Sequence, residues 1–157
     1  MAAVTGLAPL TLNLIVPSLP ALSDHFDITY SSAQVAVSSF IISMAIGQIF
    51  IGPISDAYGR RSILMLGIII FLVGTTICSI ATSSELLVIG RFIQAFGGVA
   101  GVVLGRAIIR DVYSREKAAS ALGYVTTVMV IAPMIAPPLC GILQDLFGWR
   151  SIFYLMM

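Results

Sequence analysis

Five stretches of roughly twenty mostly apolar residues follow one another along this 157-residue chain, separated by short polar turns. An α-helix rises 1.5 Å per residue, so ~20 residues span the ~30 Å hydrocarbon core of a bilayer. The stretches fall at 2–22, 33–54, 62–81, 86–105 and 118–141, and 151–157 reads as the incomplete opening of a sixth. Backbone groups in lipid find no water, so runs of this length must close their own hydrogen bonds as helices. The period-two alternation of a membrane barrel is absent. Composition leaves no soluble alternative: only 10% of residues are charged, against about 25% in an average soluble domain, and mean hydropathy is +1.06. The same figures exclude disorder. A formal net charge of +1, with no basic cluster interleaved with aromatics, argues against a nucleic-acid partner. An all-α membrane protein is therefore expected, with the lipid bilayer as its first partner.

Charge then sets orientation. If the first span runs outward, the turns after spans two and four are cytoplasmic. They carry Arg60, Arg61, Arg106, Arg110, Arg115 and Lys117, while the outer turns carry Arg150 with Asp24, Asp27, Glu85 and Asp145. The positive-inside rule then places both termini in the cytoplasm. The stub at 151–157 covers about a third of a span, so the chain reads as the front part of something longer.

Arg91 is the residue least at home in lipid. An arginine near mid-helix costs about 2.5 kcal/mol or more on insertion and normally faces a cavity or a partner. At 100° per residue, Gln94, Gly98, Gly101 and Gly105 lie within about 80° of it. Gly97, Gly101 and Gly105 repeat every fourth residue, a spacing that lets a neighbouring backbone approach closely. Two readings stand: a snorkelling arginine above a packing seam, or a cation at a water-accessible central cavity. Asn13 shares a helix face with Pro9 and Pro17, and span five carries Pro133, Pro137 and Pro138. Each proline removes a backbone donor, so these spans contain either static kinks or segments of a moving pathway.

The turn Gly52-Pro53-Ile54-Ser55-Asp56-Ala57-Tyr58-Gly59-Arg60-Arg61 has its own logic. Asp56 ends a helix, where the dipole disfavours a negative charge. It needs compensation from Arg60 or from another helix N-terminus. Gly59 suits a left-handed turn position, and Gly52 is expected to permit a close approach. An enzyme is not expected. The one histidine, His25, sits in an outer turn and reads as solvated; no carboxylate lies well inside a span. Intramembrane metalloproteases and serine–histidine proteases need a histidine at depth. Cys78 and Cys140 lie far apart, with no CxxC spacing, so no metal or cofactor is implied.

Gly52, Asp56, Gly59, Arg60 and Arg61 resemble the helix 2–3 signature of the major facilitator superfamily, Gly-x-x-x-Asp-x-x-Gly-Arg-Arg/Lys. The run Arg91-Phe92-Ile93-Gln94-Ala95-Phe96-Gly97-Gly98 is similar to that superfamily's helix 4 motif. Arg106-Ala107-Ile108-Ile109-Arg110-Asp111 and Phe147-Gly148-Trp149-Arg150-Ser151-Ile152-Phe153 are similar to its Bcr/CflA branch of drug:proton antiporters. The resemblance covers the whole chain as the front six-helix half of a twelve-helix protein. It implies two bundles rocking about a central cavity, with a C-terminal six-helix half as partner, and small-molecule substrate and protons as cargo. It also implies a latch at Gly52, Asp56, Gly59, Arg60 and Arg61, a proton or substrate pathway through Arg91, Gln94 and Asn13, and a bacterial inner-membrane location. Packing and kinks are assigned to Gly97, Gly98, Gly101, Gly105, Pro17, Pro133 and Pro137.

Two positions depart from the pattern. Branch members often have aspartate where Asn13 stands, and asparagine does not titrate. Span five shows Ala132-Pro133 and Ala136-Pro137 in place of Gly-Pro. Proton-coupled efflux of small amphipathic compounds is the expected function. The alternatives are an uptake carrier for a sugar or organic anion and a non-transporting membrane assembly protein.

Overall fold

Prolines and caps decide where the helices begin and break. The computed structural model describes residues 2–157, with the side chains of residues 2, 3, 115, 132 and 145 left aside. Arg115 and Asp145 of the charge count, and Ala132 of the helix 5 departure, therefore lie outside the described side chains. The first span is two helices, α1 (Ala2–Ile15) and α2 (Leu19–Phe26), joined by a tighter 3-10 step at Val16–Ser18. A single helix over 2–22 was the expectation. Pro17 and Pro20 have no N–H to offer the carbonyls four residues back, so the regular ladder cannot continue there. The Leu19 N–H instead bonds the Val16 carbonyl, the i→i+3 pattern of a 3-10 turn. Pro9, inside α1, is tolerated.

Helix α3 (Tyr30–Tyr58) starts ahead of its apolar run because Thr29 caps it, its hydroxyl accepting from the Ser32 N–H at 3.3 Å. A single residue, Gly59 at φ +88°, joins it to α4 (Arg60–Ser79). Only glycine takes that backbone conformation without strain. Ser83 caps α5 (Ser84–Val112) through the Leu86 N–H. Its 29 residues reach about 44 Å, well past the membrane core. Arg106, Arg110 and Asp111, expected in a connecting loop, are therefore on helix; the loop itself is only Tyr113 and Ser114. Helix α6 (Arg115–Phe147) stays helical through Pro133, Pro137 and Pro138, and α7 (Ser151–Leu155) closes the described chain. There is no strand among the described residues.

Helix α5 is the central post. It packs against α4, α3, α1 and α6 and is the most buried of the five spans, whereas α6 is the least. Its small residues explain why. Ala95, Gly97, Gly98, Ala100, Gly101 and Gly105 are all buried, and short side chains let helix axes come close. Large apolar residues fill the core in four clusters: Leu22, Leu87, Trp149 and Phe153 near the α4–α5 turn; Leu14, Phe71 and Ile152 at mid-bundle; Ile51, Leu64, Val99 and Leu104 toward the α3–α4 turn; and Ile109 and Val125 between α5 and α6. The outside of the bundle is apolar too: Ile42 and Ile49 on α3, and Met65, Leu66 and Ile69 on α4, are more than half exposed. A surface of this kind is stable in lipid rather than water.

Candidate functional site

The site is built where four elements meet around Arg91. Its Nη1 donates to Gln94 Oε1 at 2.8 Å, one helical turn along α5. Its Nη2 donates to the Thr11 main-chain carbonyl of α1 at 3.3 Å. The guanidinium carbon stands 4.5 Å from the centre of the Phe40 ring of α3. Gln94 passes the chain onward: its Nε2 donates to Thr75 Oγ1 of α4 at 2.8 Å and lies 3.6 Å from the Met156 sulfur, just after α7. Thr75 in turn donates to the Phe71 carbonyl. Arg91 and Gln94 are both 0% exposed.

Every partner of the Arg91 charge in this network is neutral, and its Nε is buried without a hydrogen-bond partner. A buried cation normally demands a paired anion, since desolvating it costs several kcal/mol. Here an amide oxygen, a carbonyl and a ring quadrupole stand in for a carboxylate. Among the described residues no carboxylate joins the cluster.

Of the residues singled out in the sequence, the structure brings Arg91 and Gln94 together but leaves Asn13 aside. Asn13 Nδ2 donates to the Pro9 carbonyl at 2.8 Å, within α1. The cluster is closed rather than open to a hollow, because the glycines bring both flanking helices over it. The glycine repeat also divides. A methyl group on Gly97 would run into the Phe71 and Gly67 backbone of α4, whereas one on Gly101 or Gly105 would meet Val4 or Thr5 of α1; Gly98 touches Ala8 and Phe71. Four residues make 400° of turn, so a four-residue repeat drifts ~40° per step and passes from one neighbour to the next.

At the other end of the bundle Arg60 bridges three elements. It pairs with Asp56, one turn back across Gly59, at 3.6 Å, and with Asp111 near the end of α5. Arg60 is 31% exposed, Asp56 69% and Asp111 53%. Pairs this exposed contribute only ~0–1 kcal/mol each, which makes them suited to being broken and remade. No neighbouring residue lies within 4 Å of where a Cβ on Gly52 would stand, so among the described residues no close approach is made there, although Ile51 and Ser55 on either side are buried. Ahead of the α6 prolines, the Thr126 and Thr127 hydroxyls donate to the Leu122 and Gly123 carbonyls of their own helix.

Residues 1–157 match the sequence profile of the Major Facilitator Superfamily from end to end. The chain belongs to that superfamily. Members of this superfamily are multi-pass membrane transporters rather than enzymes. The chain is 33% identical over 153 residues to the uncharacterized MFS-type transporter YdgK of Bacillus subtilis. It is 34% identical over 154 residues to the bicyclomycin resistance protein homolog of Haemophilus influenzae, and 30% identical over 151 residues to the multidrug resistance protein MdtL of Citrobacter koseri. Each match takes in 96% of this chain but only 38% or 39% of the relative, so the chain spans well under half of their length.

Several residues of this superfamily chain escaped the sequence reading. Thr75, Thr11 and Phe40 complete the Arg91 cluster, and Asp111 is the second partner of Arg60. Arg150, counted only as an outer charge, donates to the Ser79 and Ala81 carbonyls at 3.2 and 3.1 Å while its guanidinium stacks on Trp149. It caps the C-terminus of α4, where a cation is favoured. The acidic and basic residues carried a signal in their charge; Thr75 and Thr11 carried none.

Proposed function

We propose that this chain is the N-terminal bundle of a proton-coupled efflux transporter for drugs or other small amphipathic compounds, working by alternating access in a bacterial inner membrane. Both termini face the cytoplasm in this reading, following the basic turns. The observation that carries it is Arg91, a full positive charge at membrane depth held entirely by neutral groups. Such a residue is expensive to keep in a lipid-embedded bundle and marks a functional pathway by default. The relatives bearing the names bicyclomycin resistance and multidrug resistance point to efflux as the direction.

In this reading Arg60 is the movable part. Its contacts to Asp56 and Asp111 hold the α3–α4 turn against α5, and a second bundle of six helices, the missing C-terminal half, closes against that end. Loss of these weak pairs frees the turn, giving the two-state element that switching requires. Arg91 and Gln94 lie on the proton or substrate pathway and become accessible as α1 and α4 part from α5. Asn13 contributes a polar group to that pathway but holds no proton. The coupling carboxylate is therefore sought elsewhere than α1.

Uptake of an organic anion is a second reading, favoured by the absence of any described carboxylate beside Arg91. Vesicles bearing the full-length protein separate the two. Efflux predicts drug accumulation that the protein lowers and a protonophore restores. Saturable net entry of an anion, unaffected by a drug gradient, overturns efflux in favour of uptake. No flux in either direction overturns both.

A further inference from the structure

Phe40 of α3 is 0% exposed, yet among the described residues it belongs to none of the four apolar clusters of the core. What its ring faces is a cation, the Arg91 guanidinium, 4.5 Å from the ring centre. Two hydroxyls tie α3 to α5 around this pair. Ser43 Oγ donates to the Phe92 carbonyl at 2.6 Å. Ser39 Oγ is shared, between the Ala36 carbonyl of its own helix at 3.0 Å and the Val88 carbonyl at 3.4 Å. Residues 39 and 43 bracket Phe40 along α3, and 88 and 92 bracket Arg91 along α5. A hydroxyl crossing between helices in a membrane is a packing bond, and here two of them, one turn apart, set a single register for ring and cation.

The ring holds Arg91 without using any of its donors. All five N–H groups of a guanidinium lie in its plane, whereas a cation–π contact takes its face. Nη1 is committed to Gln94 of the same helix. Nη2 has the Thr11 carbonyl of α1 at 3.3 Å, and Nε, on the same edge, is buried with no hydrogen-bond partner. The α3–α5 pair thus fixes the guanidinium by its face and one donor, while its Nε–Nη2 edge is closed by one long bond to a different helix. We propose that Phe40 is a positioning residue for Arg91, its ring keeping the Nε–Nη2 edge presented to the pathway when the Thr11 carbonyl withdraws. The pathway in that statement rests on the transport reading above; the hold of the ring on the guanidinium does not.

The test replaces Phe40 in the full-length protein by mono-, di- and trifluorophenylalanine, which drain the ring face of negative charge stepwise at nearly constant shape, and by cyclohexylalanine, which fills the same volume with no ring electrons. The maximal rate of dye efflux should fall step by step along the series, by about tenfold at trifluorophenylalanine, the factor for losing most of a desolvated cation–π contact. Melting should stay near that of the wild type. A second readout needs no flux. The Arg91 Nε–H resonance, located by its loss in Arg91→Met, should move when cyclohexylalanine removes the ring current. Ser43→Ala should move it part of the way, and Ser38→Ala, whose hydroxyl bonds Gln34 of its own helix, should leave it in place. Wild-type efflux with trifluorophenylalanine or cyclohexylalanine, or efflux that falls only in step with melting temperature, would reduce Phe40 to a space-filling residue and overturn the proposal. So would an Arg91 resonance that cyclohexylalanine leaves unmoved. A resonance unmoved by Ser43→Ala would overturn the serine clamp. Absence of flux in the wild type would sink the transport reading alone, because the resonance would still report whether the ring holds the cation.

Discussion

Replacing Arg91 by methionine separates a charge kept for function from one kept for the fold. The substitution loses the hydrogen bonds to Gln94 Oε1 and to the Thr11 carbonyl, about 1.5–3 kcal/mol each for a charged donor. It loses the contact over Phe40, about 2 kcal/mol when desolvated. It also leaves the buried Gln94 oxygen with one acceptor site unfilled, about 1–3 kcal/mol more. Against these stands the removal of a buried cation, whose effective desolvation penalty is several kcal/mol. Methionine is long and flexible enough to fill much of the vacated volume. The losses are the larger side, so a destabilisation of about a few kcal/mol is expected. Transport, by contrast, should be lost, because no other described residue supplies a charge at that depth. The assay pairs two measurements on the full-length protein. One is energy-dependent efflux of an amphipathic dye that the wild type exports; the other is membrane abundance and thermal unfolding of the purified variant. Retained membrane abundance with a cooperative, modestly lowered melting transition, and efflux at background, is the expected result. Wild-type efflux from Arg91→Met, or efflux that falls only in step with protein abundance, would refute the reasoning and return Arg91 to a structural role.

Gly97→Ala should lower the melting temperature of the full-length protein by far more than Gly52→Ala. The first methyl meets α4 backbone and the second meets nothing within 4 Å; overpacking costs about 1–3 kcal/mol. Asp111→Asn should shift the balance of cavity orientations toward the one in which the α3–α4 turn is free, read by cysteine accessibility from each side, while leaving dye binding intact. Asp56→Asn should do so more weakly, because Asp56 is the more exposed partner of Arg60 and pairs at 3.6 Å. Equal loss of binding and switching in either variant would count against the latch. Arg150→Ala should uncap α4 and speed amide exchange around residues 79–83, destabilising by about 1–2 kcal/mol; unchanged protection there would show that the carbonyls find other donors.

What could be read from the chain follows the range of the forces involved. Membrane burial acts residue by residue and sums along a run, so the five spans and their all-helical character were legible. A positive φ favours glycine, so Gly59 was legible as the turn residue. Helix length was not: hydrophobicity stops at the headgroups, but the hydrogen-bond ladder of α5 does not, and Ile108, Ile109 and Val112 carry it on into the charged turn. The Arg60 pairing shows the next limit. The local partner, Asp56, is four residues away and could be guessed; Asp111 is on a different helix and could not. The Arg91 cluster shows the last. Helical periodicity put Gln94 beside Arg91 because both are on one helix. It could not supply the Thr11 carbonyl, since every residue has a carbonyl and nothing in a sequence marks the one that meets a guanidinium. A buried charge satisfied by main-chain oxygen and ring faces therefore leaves no pattern of complementary side chains to find. The signal it does leave is the missing carboxylate, an arginine inside a span with no acid well inside any of the others.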